Sequence, residues 1–106
     1  MGKFLATRNK GFRMVFENKF EISVQWGPGN YCERKDDEMV ENIVNFWESC
    51  SAEIAVFNNK GGFVSIGEED MVIGWLSTDQ VAKVISIVQS SKTEEEIISK
   101  IKVLRL

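Results

Sequence analysis

The sequence predicts an α+β fold: a small antiparallel sheet of about five strands, two hairpins plus one, packed with two C-terminal helices and a short helix in the middle. Three observations carry this reading. Between Phe12 and Trp26 apolar and polar side chains alternate with the period of two that buries one face of a strand. Turn clusters at Gly27-Pro28-Gly29-Asn30 and Asn58-Asn59-Lys60-Gly61-Gly62 punctuate further strand-like runs. From Ser77 onward the apolar spacing lengthens to the three-and-four rhythm of a helix.

Taken in order, residues 1–10 carry three basic side chains and little periodicity, and form either a frayed lead-in or a short edge strand starting at Lys3. Phe12, Met14 and Phe16 then share one face, Asn18-Lys19 makes a turn, and Phe20, Ile22, Val24 and Trp26 alternate with Glu21, Ser23 and Gln25 as the returning strand. Pro28 cannot donate to a ladder, so that strand ends at the glycine-rich loop. Between Arg34 and Ser49, Met39, Val40, Ile43, Val44 and Trp47 fall at helical spacing behind Asp36 and Asp37 as caps. Ala52–Phe57 and Phe63–Ile66 make a second hairpin, and Met71–Leu76 a fifth strand whose Gly74-Trp75 step suits a bulge or a close backbone approach.

Ser77 or Thr78 caps the first C-terminal helix, whose stripe is Val81, Val84, Ile85 and Val88. Thr93 and Glu96 have capping-box spacing for the second, which turns Ile97, Ile98, Ile101 and Leu104 to the core. The whole of residues 1–106 is expected to be one domain, with no internal repeat and no linker long enough to divide it.

Composition narrows function more than it names it. With 13 basic against 16 acidic residues the net charge is −3, which disfavours the phosphate attraction behind duplex nucleic-acid binding. No run nears the roughly 18 apolar residues of a membrane span, and the N-terminus lacks a signal-peptide core, so a cytoplasmic protein without membrane attachment is expected. Histidine is absent, which removes the commonest general base and metal ligand and with them triads and zinc hydrolase sites. Cys32 and Cys50 fit no zinc spacing and are expected to stay reduced. No catalytic set, metal site or cofactor is implied.

The most unusual segment is Trp26-Gly27-Pro28-Gly29-Asn30-Tyr31-Cys32, which gathers an indole, an amide, a phenol and a thiol around two glycines. Aromatic rings stack on planar ligands and glycine amides cradle anions, so Trp26, Gly27, Gly29, Asn30, Tyr31 and Cys32, with Trp75, are candidates for binding a small nucleotide-like ligand. The plainer reading is a strand-ending turn pinned by core aromatics. Cys32 is a nucleophile only if Arg34, Lys35 or a helix N-terminus lowers its pKa; otherwise it is a buried, inert thiol.

The runs Gly11-Phe12-Arg13-Met14-Val15-Phe16-Glu17-Asn18 and Ile22-Ser23-Val24-Gln25-Trp26-Gly27-Pro28-Gly29-Asn30-Tyr31-Cys32, with Ser51–Phe57 and Val72–Ser77, resemble a family of small tailed-bacteriophage proteins of unknown function. The resemblance spans about residues 11–90 and departs from the family pattern at Lys19, where that pattern has glycine. It implies a phage origin and no assigned activity. The function expected is a non-enzymatic accessory protein that counters host defence, by sequestering a nucleotide-like signal. The alternative is an inhibitor or adaptor that covers a host or defence protein with the acidic Asp36–Glu38 and Glu68–Asp70 surfaces. An open sheet edge also makes a homo-oligomer an expected state.

Overall fold

The computed structural model describes residues 2–8, 10–33, 35–36 and 48–106. Six strands form one antiparallel sheet: β1 (Lys3–Thr7), β2 (Gly11–Val15), β3 (Glu21–Gln25), β4 (Ala52–Phe57), β5 (Phe63–Val64) and β6 (Val72–Leu76), followed by α1 (Thr78–Ser90) and α2 (Glu94–Leu104). The expected α+β class is the observed one, and the sixth strand is the basic lead-in, which pairs along its whole length with β2. The expected middle helix falls on residues 37–47 and lies outside the described residues.

Strands β1 to β4 follow in sequence order, and β6 also pairs with β4. Because β3 occupies one side of β4 from Glu53 to Phe57, β5 and β6 share the other side end to end, at Val56–Phe57 and Ala52–Ala55 respectively. The fourth strand of the reading is shorter than expected. The amide of Ile66 donates to the Val64 carbonyl, which turns the chain away before Ser65 and Ile66 can extend the ladder.

Alternation sorts the sheet into two faces. Ile22, Val24, Ile54 and Val56 are buried under α1, whose Val81, Val84 and Val88 meet them, and Ile97 and Ile101 of α2 complete the same cluster. Among the described residues, no helix packs on the opposite face. There Arg13 pairs with Glu21 and lies over the Phe57 ring at 4.7 Å, an arrangement that covers apolar surface with a guanidinium still in reach of water.

The first hairpin turns through residues 16–20, where Lys19 adopts a left-handed φ of 73°, a conformation that glycine takes most easily. Asn18 closes this turn by accepting from the Phe20 amide at 3.0 Å. Its side-chain amide reaches across the molecule and donates to the carbonyls of Val88 (2.8 Å), Gln89 (3.2 Å) and Ser91 (2.8 Å). Those carbonyls end α1 and have no partner within the helix. Neither a glycine nor a basic residue stands in its last turn, so Asn18 acts as a C-cap supplied from 70 residues away.

Both helix starts follow the sequence. Ser77 and Gln80 form a reciprocal capping box, and Thr93 accepts from the Glu96 amide. Glu96 reaches one residue further than the box predicts, to the Lys92 amide at 2.8 Å. Its hydrogen bond to Lys100, then that backbone bond, hold its carboxyl below the ordinary value of 4.5. A depressed folded pKa contributes stability that is complete above the unfolded value and disappears as pH falls through the folded one. The Glu96 carbon shift in an NMR titration is therefore expected to move with a midpoint below 4.5, and Lys100→Ala to raise that midpoint.

Candidate functional site

The loop after β3 is a closed piece of backbone. Gly29 donates to the Lys35 carbonyl at 3.0 Å, Asn30 to Gly27 at 3.2 Å, Cys32 to Asn30 at 2.8 Å, and Tyr31 to the Glu53 carboxylate at 2.9 Å. The Gly29 amide, one of the two expected to cradle an anion, is thus spent inside the fold, and a carboxylate already sits against the neighbouring Tyr31 amide. The Asn30 side chain also turns inward, onto the Gly27 carbonyl. Cys32 is buried with its sulfur 3.7 Å from that carbonyl, while Gly27 is packed on the Lys10 side chain and Gly29 faces solvent.

What the loop builds is a clamp on β6. The Trp75 amide donates to the Tyr31 carbonyl at 2.8 Å, and a Cβ on Gly74 would lie 2.4 Å from the Tyr31 Cβ. Only a glycine allows that approach. The pairing of β4 with β6 slips between Ala52/Leu76 and Ile54/Ile73, which sets Gly74 and Trp75 together opposite Glu53 as a β-bulge. At the bulge Trp75 takes a left-handed φ of 60°. A non-glycine residue there costs on the order of 1 kcal/mol, and such outliers gather at functional positions.

The seven candidate residues are therefore divided between two places. Tyr31 and Trp75 are exposed beside the bulge. Trp26 turns to the helix face, where its ring meets Phe12 edge-on at 6.2 Å and borders a groove of about 390 Å³. Phe12, Val24, Trp26 and Ala52 of the sheet form one wall, and Val81, Ala82 and Ile85 of α1 the other. Ser49, Cys50, Ser51 and Thr78 lie along the rim, and among the described residues Glu48 is the one charged side chain lining it. Neither Tyr31 nor Trp75 borders this groove.

The groove escapes a reading of the sequence. Ile85 and Phe12 have the same spacing as the buried positions around them, and nothing in a linear pattern separates a residue that fills a core from one that lines its open end. Both cysteines are thiols, Cys32 buried and Cys50 exposed at the groove rim. Among the described residues, no group of three or more carboxylates, cysteines or histidines is placed to hold a metal ion, and no helix is long and apolar enough to cross a membrane. Comparison with known proteins finds no matching family model, no matching curated protein and no matching solved structure.

Proposed function

We propose that the chain is a non-enzymatic binding protein whose groove between α1 and the sheet takes a flat, largely apolar ring of nucleobase size. The observation that carries this is the groove itself: its volume of about 390 Å³ lies in the range of small-molecule sites, and an indole and a phenyl edge wall one side of it. Hydroxyls of Ser51 and Thr78 are at the rim to bond polar edges of such a ring, while that of Ser49 is engaged with the Ser51 backbone. Among the described residues, no lysine or arginine lines it. A phosphate therefore has to remain outside, and the nucleotide-like ligand expected from the sequence is narrowed to its base.

The setting we propose is that of a phage accessory protein acting in the cytoplasm of an infected bacterium against a defence signal, a setting supported by the resemblance of residues 11–90. Native mass spectrometry of the purified protein, followed by thermal shifts with paired nucleosides and nucleotides, tests the chemistry. Nucleosides are expected to raise the melting temperature more than their phosphorylated forms. Ala82 is exposed on α1 at the groove, so Ala82→Trp fills the space without emptying a core, and is expected to abolish the shifts. Absence of any shift, or shifts that survive Ala82→Trp, would reject the groove as the site.

A further inference from the structure

The flank of the sheet formed by β5 and β6 carries a second feature, independent of the groove. Four large apolar side chains are exposed along the β5–β6 flank and the loop that clamps it: Trp75 (57%), Phe63 (49%), Met71 (44%) and Tyr31 (42%). Phe63 is steadied by the Phe57 ring at 4.7 Å, and Lys35 lies 5.7 Å from the Tyr31 ring centre. Trp75 is held where it is by Gly74, by the Tyr31 carbonyl and by a strained backbone angle that glycine would adopt freely. An exposed indole kept on such a backbone serves neither burial nor solubility. Tryptophan, tyrosine and methionine are the side chains enriched at the centres of protein interfaces.

Charge decides what covers this patch. Glu68, Glu69 and Asp70 are all exposed in the turn that leads into Met71, and the Glu53 carboxylate lies opposite the bulge. A second copy of this chain brings the same four acids with Lys35 against them, so a symmetric pairing across Trp75 sets an excess of like charge face to face. A basic surface does not. We propose that Trp75 anchors a docking surface for a partner protein that offers an apolar pocket rimmed by lysine and arginine.

Selection of peptides from a random display library on the native protein tests this, with Trp75→Gly as the comparison target and sedimentation velocity of both proteins alongside. Trp75→Gly is expected to fold, since glycine relieves the left-handed angle. Enriched peptides are expected to be net positive with an aliphatic or aromatic anchor, and to bind Trp75→Gly roughly thirtyfold more weakly, as an interface hot spot does. Their affinity is expected to fall between about 50 and 300 mM salt. The exposed pair Glu68→Lys and Glu69→Lys is expected to weaken the same peptides, and reads the charge requirement even if Trp75→Gly does not fold. No enrichment, neutral or acidic consensus peptides, binding indifferent to these substitutions, or a dimer that Trp75→Gly dissolves would each overturn the proposal.

Discussion

Gly11→Ala is expected to be the most damaging single-methyl change in the molecule, lowering stability by about 3 kcal/mol or more. At the start of β2 the Gly11 φ is 153°, and a Cβ built there would lie 1.9 Å from the Val24 carbonyl oxygen and 2.9 Å from its carbon. Both are backbone atoms of the neighbouring strand, so no side chain can rotate out of the way. The two strands would have to part at the point where Lys10 accepts from the Trp26 amide at 2.7 Å, which also frees the Trp26 wall of the groove. Urea unfolding reads the effect as a large fall in midpoint. Alanine tolerated at this position would show that β2 and β3 can separate at little cost.

Substitution of Asn18 has the second largest expected effect and separates its two roles. Asn18→Ala removes the donor that serves the three terminal carbonyls of α1 and the acceptor that closes the hairpin turn, for an expected loss of about 2 kcal/mol. Asn18→Asp keeps the acceptor and suits the turn as well as asparagine does. It also aims a negative charge at the negative end of a helix. If capping is the larger role, aspartate is worse than alanine; if the turn dominates, aspartate restores most of the stability. Melting temperatures distinguish these cases, because 1 kcal/mol moves a domain of this size by roughly 4–8 °C.

Local chemistry was readable where it decides local structure. Strict alternation placed β3, an apolar run broken only by Glu53 placed β4, and Ser77, Thr93 and the Val81-Val84-Val88 stripe placed the helices. The Gly74-Trp75 step signalled a bulge, and a bulge is there. Pairing across distance was not readable. No residue announces that β5 and β6 divide one side of β4 between them, or that Asn18 serves a helix 70 positions away. The loop from Trp26 to Cys32 was legible as unusual, yet its unusual residues turn inward: backbone amides that a linear reading offers to a ligand are consumed by Lys35, Gly27, Asn30 and Glu53. Trp26 was legible as a functional candidate and its neighbours across the groove were not, since they come from α1 and β2.

The two borders of the sheet differ in their hazard. On one side the border is broken into β5 and β6, neither longer than five residues, with a bulge in the second and the Tyr31 carbonyl already bonded to it. A foreign strand finds no continuous row of amides there to extend. On the other side β1 runs unbroken from Lys3 to Thr7 with Phe4 80% exposed, which is the form of border that templates aggregation. Lys3 and Arg8 flank it, and positive charge at both ends is how a sheet border resists stacking with copies of itself. What opposes self-templated stacking is therefore charge at one border and chain geometry at the other.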